Sequence, residues 1–523
     1  MSFRPRISGR WGFLWELVTA AKASAPLLPP TGTGLAANPL PTDLASAVEA
    51  FSRAPQDRKA KCALVALLRD DPGLVEGPMA PVIQQLLFDP EVDPAEIGGA
   101  GWLLQRRSDS RLEGAVDNAD LKVLAQQLEH NKFALALLQE CPVGDREVEM
   151  TLTRVRRWLG TSGEWKIHPD LLAALAAQTA LNGGAWMFDE TERALLDDTT
   201  AAPLAAAYLP VRPDGETGGR NRSEFAHRIT RAVAEQYELR PFPIWRRITF
   251  PVPIRLSEII RPYDSAISDA LPAQPRILVA GCGTGQQAAR IAVRYQGAIV
   301  TAIDISEASL SFARRQCALL GVPEIRFCRL DLNEAARLGE TYDAVFCAGV
   351  LHHLPDPEAG WGALADVLKP GGVMRIAVYS RLGRLRVAAA RALLGKLAGR
   401  PVDDDLLRQA RSLLLRRRDL KAICTVVDSC DFSTLAGTCD LLFHRHEDPF
   451  DVLRIECAMR KLGLGLLGFD LRAAQSRAEY AKLFPGDPQC SDFGCWRRFE
   501  QKNPSLFLEM YSFWCAKPLA RMP

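Results

Sequence analysis

The chain has 523 residues, of which 48% are hydrophobic and 24% are charged. This composition is typical of globular proteins and excludes collagen-like, largely disordered and coiled-coil chains. The 64 Lys and Arg residues nearly balance the 62 Asp and Glu residues, so the net charge of +2 gives no general reason to expect nucleic acid or an acidic membrane as partner. At about 150 residues per domain, the length predicts about three domains.

The 13 cysteines are scattered and include no Cys-X-X-Cys pair. This pattern favours reduced, mostly buried thiols over a disulfide framework or a metal site, and it predicts a cytoplasmic protein. The chain has no run of about 18 apolar residues, so we expect no membrane span. Arg4, Arg6 and Arg10 leave a transit peptide open as an alternative to a loose arm or a capping helix.

The first 245 residues divide into an arm and a helical domain. Residues 24–43 are rich in Pro, Gly, Thr and Ala, which predicts an arm and linker over 1–43. Apolar residues then recur at helical spacing, which predicts an all-helical domain over 44–245, with a polar, glycine-rich break at 211–223. The sequence shows no 34-residue period, so a regular helical-repeat array is not supported. We assign the helical domain a possible role in binding a partner or the substrate.

From residue 276 the pattern changes to short apolar runs separated by helical stretches, which predicts an α/β fold with a parallel sheet built from βαβ units. We assign 246–380 to this core, 381–460 to a helical insertion or lid, and 461–523 to C-terminal strands that complete the sheet. The predicted strands are Ile277–Ala280, Ala298–Ile303, Ile325–Cys328, Ala344–Cys347 and Val373–Val378, followed by Leu464–Leu471 and Phe507–Ala516.

Four short motifs stand at the ends of the first four predicted strands. The first is a Gly-X-Gly-X-Gly turn, which allows close approach of a ligand to the backbone. Two carboxylates follow the next two strands, placed to bind ribose hydroxyls and an adenine amino group. Ligands of open α/β sheets bind at this edge. The residues expected to contact a cofactor are Ala280, Gly281, Cys282, Gly283, Gly285, Gln286, Asp304, Ile305, Asp331, Leu332 and Gly349.

With these motifs, residues 276–380 resemble a class I S-adenosylmethionine-dependent methyltransferase. The resemblance implies a Rossmann-like, seven-stranded sheet with an antiparallel last strand, S-adenosylmethionine as cofactor, and methyl transfer as the activity. Residues 130–517 are similar, more specifically, to bacterial methyltransferases associated with tetratricopeptide repeats. The segments that carry this similarity are 235–243, 279–286, 349–354, 431–434, 441–444 and 496–511. His446 and Asp448 stand where that family tends to have Gln and His.

Three candidate catalytic residues follow from these positions. His352 and His353 follow the fourth strand, where one imidazole could take a proton from the acceptor, although both could equally be capping or packing residues. Tyr237 is a candidate lid residue over the cofactor, and His444 a candidate for the acceptor pocket. Methyl transfer needs mainly alignment, so a general base is not required. His444, His446 and Glu447 resemble only fragments of a metal site, and we expect no metal.

The predicted function is methyl transfer to an O, N or S nucleophile. Because more than 200 residues of helical sequence precede the core, we expect a peptide or protein acceptor. A small-molecule acceptor is the alternative, and a non-catalytic cofactor-binding scaffold is a further one. Residues 381–421 are basic but contain no aromatic residue, so we interpret them as a solvated helix face and expect no nucleic acid partner.

Overall fold

The computed structural model of the chain describes residues 43–113, 117–196, 202–210, 227–417, 419–471 and 474–519. The predicted arm and linker lie outside these residues apart from Asp43, and so does the polar break at 211–223. Within the described segments, none of the helices is both long and apolar enough to cross a membrane.

The described part of the N-terminal region is helical, as predicted, and packs around one hydrophobic core that extends from Ala47 to Tyr208. Carboxylates such as Asp57 and Asp145 cap its helices by accepting bonds from free backbone N–H groups. Its α-helices are Leu44–Arg53, Arg58–Asp70, Ala80–Leu87, Pro94–Ser108, Asn118–His130, Lys132–Glu140, Arg146–Ser162, Pro169–Asn182, Glu190–Leu196 and Ala202–Ala205.

The central element is a seven-stranded sheet with the strand order β3-β2-β1-β4-β5-β7-β6. Strands β1 to β5 are parallel, and β7 is antiparallel to both of its neighbours. The predicted α/β fold and its antiparallel last strand are therefore confirmed. The strands are β1 Arg276–Ala280, β2 Ile299–Asp304, β3 Ile325–Arg329, β4 Tyr342–Ala348, β5 Leu368–Tyr379, β6 Gly465–Phe469 and β7 Met510–Ala516.

Helices cover both faces of the sheet, which is why its central strands are apolar throughout. Ile277, Phe346 and Trp514 belong to the core on one face, and Leu278 and Tyr511 to the core on the other. The parallel strands bring the loops after β1, β2 and β4 to one edge. The helices from 228 to 366 are Arg228–Leu239, Leu256–Ile260, Ser265–Ala270, Gln286–Arg294, Glu307–Leu319 and Pro357–Asp366.

A group of helices between β5 and β6 forms a core of its own around Val387, Leu414 and Phe432. These helices are Arg381–Leu394, Asp404–Leu415, Lys421–Val427 and Leu435–Phe443. The next helix, Val452–Leu462, packs instead on the layer that covers the sheet. The last two helices are Ala474–Leu483 and Phe493–Lys502. The boundaries proposed from the sequence at 245, 380 and 460 stay predictions.

A buried ion pair joins the N-terminal helical region to this inserted group of helices. Arg411 donates to both carboxylate oxygens of Glu149, each at 2.7 Å. Glu149 is 4% exposed and Arg411 is 1% exposed. Two charges removed from water in this way stabilise a contact only while each keeps its partner.

Candidate active site

The turn after β1 is held by the acid that ends β2. The backbone N–H of Gly283 donates to Oδ2 of Asp304 at 2.7 Å, and that of Ser306 donates to Oδ1 at 2.9 Å. Burial raises the pKa of Asp304, which is 9% exposed. Because one carboxylate connects both loops, the predicted glycine turn and the predicted ribose-binding acid form a single unit.

Gly285 ends this turn where no other residue fits. Its φ is +82°, and a Cβ added there would lie 2.5 Å from the Cβ of Ala313. We expect Gly285→Ala to lower the free energy of unfolding by about 2 kcal/mol, since it adds a clash to the cost of a left-handed backbone. Gly339 is the matched control, because its φ is +68° and a Cβ there would meet nothing within 4 Å.

Urea unfolding of both variants measures this difference. Gly339→Ala should cost only about 1 kcal/mol, the conformational part alone. Equal losses for the two variants would contradict a steric role for Gly285.

The turn and Asp304 open on a cavity of about 510 Å³ at the carboxyl edge of the sheet. Its walls come from the loops after β1, β2 and β4, from the extended segment around Phe242, and from the inserted helices. The predicted residues that line it are Tyr237, Gly281, Cys282, Gly283, Gln286, Asp304, Ile305, Asp331, Leu332, Gly349 and His353.

Four predicted residues lie elsewhere. Ala280 is buried in the sheet core, and Gly285 contacts the helix after β2. His352 is directed toward β5, where its Nδ1 accepts a bond from the Tyr379 N–H at 3.1 Å and its ring stacks on the Tyr379 ring. His444 lies behind the cavity wall, between Tyr237 and His353.

The helix Arg228–Leu239 positions Tyr237 with the two residues beside it. Glu238 accepts bonds from the N–H groups of Glu307 and Ala308 at 2.7 and 3.0 Å, at the start of the helix that follows β2. Gln236 accepts a bond from the Arg445 N–H at 3.1 Å. The segment Gln236-Tyr237-Glu238 therefore connects this helix both to the start of the helix after β2 and to the His444 segment.

A directed chain of hydrogen bonds runs from His444 to Asp440. The His446 N–H donates to Nδ1 of His444 at 3.1 Å, so the neutral ring carries its proton on Nε2. That Nε2 lies 3.3 Å from the hydroxyl of Tyr237, which in turn donates to Oδ1 of Asp440 at 2.6 Å. Burial, Asp440 and other nearby acids raise the pKa of Tyr237 well above its usual value, so the phenol stays protonated as a donor.

His353 presents one nitrogen to the cavity. Its Nδ1 lies 2.8 Å from the carbonyl oxygen of His446, which can only accept, so Nδ1 carries the proton and Nε2 has a free lone pair. Its ring stacks on His444 with centroids 3.6 Å apart. Burial and the neighbouring His352 and His444 lower the pKa of His353 well below its usual value, so the ring stays neutral at physiological pH.

Arg384 and the acids Asp431, Asp440 and Glu509 also line the cavity, and sequence analysis did not assign any of them to the site. Arg384 forms an ion pair with Glu447 and lies 4.2 Å from the ring centroid of Tyr379. The signal for Asp440 was its position between the segments 431–434 and 441–444, which carry part of the resemblance described above. In the described residues no three His, Cys, Asp or Glu side chains are grouped to hold a metal ion.

Asp431 should make stability depend on pH near neutrality. Burial, with help from Asp440 and Glu509, raises its pKa from 3.8 to about 7. A raised pKa means that the folded state binds a proton more readily, so this contribution is present at low pH and is lost as the pH rises through 7. Between pH 5 and 8 the wild type should lose about 2 kcal/mol relative to Asp431→Asn, at 1.36 kcal/mol per pKa unit.

Urea unfolding of both proteins at pH 5, 6, 7 and 8 measures this. A constant difference over that range would contradict the prediction. The same change at exposed Asp366 controls for the loss of a carboxylate.

Comparison with known proteins places this geometry in a family context. Residues 277–372 match the family described as a methyltransferase domain. An uncharacterized protein from Synechococcus sp. is 32% identical over 294 residues, which are 53% of this chain and 66% of that protein. The ubiquinone biosynthesis O-methyltransferase of Alkalilimnicola ehrlichii is 39% identical over 121 residues, which are 23% of this chain and 47% of the enzyme.

The chain thus spans between about half and just under two thirds of the length of these curated relatives. Among solved structures, PKMT2 from Rickettsia typhi in complex with AdoHcy shares 15% identity and a TM-score of 0.38, with 52% of this chain and 55% of that one covered. Residues 277–372 are thus similar to a methyltransferase domain, in the part of the chain where the sequence resemblance implied one. The tetratricopeptide-associated subtype stays a prediction.

Proposed function

We propose that this chain transfers the methyl group of S-adenosylmethionine to a nucleophile held at the Tyr237–His353 end of its cavity. The observation that carries the proposal is that one cavity joins the glycine turn and Asp304 to Tyr237, His353 and Asp440. Nucleotide-binding groups at one end and hydrogen-bonding groups at the other are what a transfer between a bound cofactor and an acceptor requires.

The cavity fits the cofactor. Asp304 presents a carboxylate for a ribose diol, and Asp331 lies farther along the wall for the adenine amino group. Gly349 also lines the cavity, and a Cβ there would meet nothing within 4 Å, so the glycine leaves that space to a ligand. Arg290, which lines the cavity on the helix that follows the turn, is already paired with Asp93 at 2.9 Å. This suits a cofactor that has no pyrophosphate.

The residues of this chain would bind the cofactor and the acceptor, orient them for the transfer, and exclude water from the site. When bound, S-adenosylmethionine supplies an electrophilic methyl group on a positively charged sulfur. Phe242, Val350 and Leu354 line the cavity and provide apolar wall. Alignment in such a site accounts for most of the rate enhancement expected for a methyl transfer.

For the acceptor we propose a peptide or protein. The N-terminal helical region contacts the helix Gln286–Arg294, which follows the glycine turn. Oδ2 of Asp93 lies 3.5 Å from Nε2 of Gln286 and 2.9 Å from the guanidinium of Arg290. A partner bound by the helical region would therefore be held near the cavity. A small molecule is the second candidate, favoured by the similarity to ubiquinone biosynthesis O-methyltransferases.

All 13 cysteines are free thiols, which supports a cytoplasmic location.

Calorimetric titration with S-adenosylmethionine, S-adenosylhomocysteine and NADH is the first test. We expect both adenosyl ligands to bind and NADH not to bind. Binding would justify screening peptides and metabolites with labelled methyl donor. Failure of both adenosyl ligands to bind would overturn the proposed function, and binding without transfer to any acceptor would favour a cofactor-binding scaffold.

A further inference from the structure

The acceptor end of the cavity contains a carboxylate, that of Asp440, whose orientation is fixed by hydrogen bonds from Tyr237 and, through it, His444. Asp440 is 5% exposed and lines the cavity. Its Oδ1 accepts the Tyr237 hydroxyl at 2.6 Å, and Tyr237 is itself held by the protonated Nε2 of His444. Among the described residues, Oδ2 has no hydrogen-bond donor and no cation within ion-pair distance. A nearly buried carboxylate oxygen without a donor is unfavourable unless a ligand supplies one.

His353 lines the same cavity and supplies a second acceptor. Nε2 of His353 has a free lone pair, because Nδ1 donates to the His446 carbonyl, and the ring is 5% exposed. No described residue donates to this Nε2. The stacked rings of His353 and His444 and the bond from His444 to Tyr237 keep the two acceptors at the same end of the cavity.

Arg384, a cation of the cavity wall, has other partners than this pair of acceptors. Arg384 binds Glu447, and Arg391 binds the other carboxylate oxygen of Glu447 at 3.0 Å. Arg384 also donates to the Leu441 carbonyl at 3.2 Å and lies against the Tyr379 ring. The hydrogen bonds and the ion pair of Arg384 are thus made with Glu447 and the Leu441 carbonyl and not with Asp440 Oδ2.

We propose that Asp440 and His353 bind the acceptor atom directly and that this atom is an amine nitrogen. If both acceptors bind one atom, that atom must carry two donors. A hydroxyl has one O–H and a thiol one weak S–H, whereas a primary amine has two N–H groups and keeps its lone pair for attack. Tyr237 and His444 act as positioning residues for Asp440. This inference rests on the proposed methyl transfer.

The chemistry balances without another reactant. The acceptor binds as the neutral amine, and the proton of its ammonium form stays in water, so the nitrogen has a lone pair while both of its N–H groups donate to Asp440 and His353. Nitrogen and the methyl carbon then form a bond while the carbon–sulfur bond breaks, and its electron pair stays on sulfur. The products are a methylated ammonium, whose positive charge faces the Asp440 carboxylate, and a neutral thioether.

Sinefungin tests the proposal without a known acceptor, because this cofactor analogue carries an ammonium group on carbon in place of the methylated sulfur. We expect it to bind the wild type about tenfold or more tightly than S-adenosylhomocysteine, which corresponds to one charge-assisted hydrogen bond. Asp440→Asn, which keeps the shape and still accepts from Tyr237, should reduce this ratio to within about twofold while the affinity for S-adenosylhomocysteine changes little.

Three comparisons distinguish hydrogen bonding at Asp440 and His353 from an effect of charge alone and from a general effect of removing a carboxylate. S-adenosylmethionine has the charge but no N–H at this position, so its affinity relative to S-adenosylhomocysteine should change far less in Asp440→Asn than that of sinefungin. His353→Phe keeps the ring stack, removes the lone pair, and should also lower the sinefungin ratio at least fivefold. Asp366→Asn, on the surface, should leave all ratios unchanged.

A sinefungin preference that survives in Asp440→Asn would overturn the inference. So would a wild type that binds sinefungin no better than S-adenosylhomocysteine. Loss of S-adenosylhomocysteine binding in both cavity variants would also overturn it, because the residues would then support the cofactor site rather than the acceptor. If the wild type itself binds no adenosyl ligand, the proposed methyl transfer fails instead.

Discussion

Replacing Asp304 by alanine should weaken the binding of S-adenosylhomocysteine about 100-fold or more, as measured by calorimetry, since two charge-assisted hydrogen bonds are lost. Asp304 presents its carboxylate to the cavity and also holds the N–H groups of Gly283 and Ser306. The variant would lose the acceptor for the ribose hydroxyls and would leave two backbone donors of the turn without their partner.

Asp304→Asn separates these two effects, because its amide oxygen can still accept one of the loop bonds. We expect it to bind better than Asp304→Ala but well below the wild type. Asp366→Ala, an exposed acid at the end of the helix Pro357–Asp366, should leave the affinity unchanged. Wild-type affinity in Asp304→Ala would remove Asp304 from the cofactor site.

Replacing Glu149 by alanine should lower the free energy of unfolding by about 3–5 kcal/mol, because it leaves the charge of Arg411 buried without its partner. Arg411 is 1% exposed and also donates to the hydroxyl of Thr438 at 3.2 Å, which does not neutralise it. Since the pair joins the N-terminal helices to the inserted helices, urea unfolding should show the loss in the transition in which these two regions separate.

A double variant tests the mechanism. Glu149→Leu with Arg411→Met removes both charges, and we expect it to recover most of the stability that Glu149→Ala loses. Glu190→Ala is the matched control, since its carboxylate is 94% exposed and lies 4.0 Å from Arg193, and it should cost less than about 0.5 kcal/mol. A loss of similar size at Glu190 would point to a general charge effect.

The sheet could be predicted in detail because local patterns carry it. Each of the seven strands lies where an apolar run was found, and the ends differ by only a few residues, as for β6 at Gly465–Phe469. Short apolar runs that alternate with helices are typical of parallel strands covered on both faces. Strand order then follows a common topology, and the Gly281–Gly285 turn comes together with Asp304 at its carboxyl edge.

The acceptor side could not be predicted in this way. Tyr237 and Asp440 are 203 positions apart and meet only because the helix before the sheet and the insertion after β5 close over the same edge. Nothing in the sequence distinguishes the roles of the adjacent residues His352 and His353. In the structure a short turn directs His352 to the Tyr379 backbone and His353 to the cavity.

For this chain, the amino-acid sequence alone predicts the strands, the sheet and the edge at which the glycine turn and Asp304 meet. These features depend on hydrophobic periodicity and on turns of a few residues. The hydrogen-bond directions that make Asp440 and His353 acceptors depend on donors from three separate segments, at Tyr237, at His353 and at 444–446. A side chain's chemical role in a buried site is determined by its partners, and these partners come together only when the helices pack.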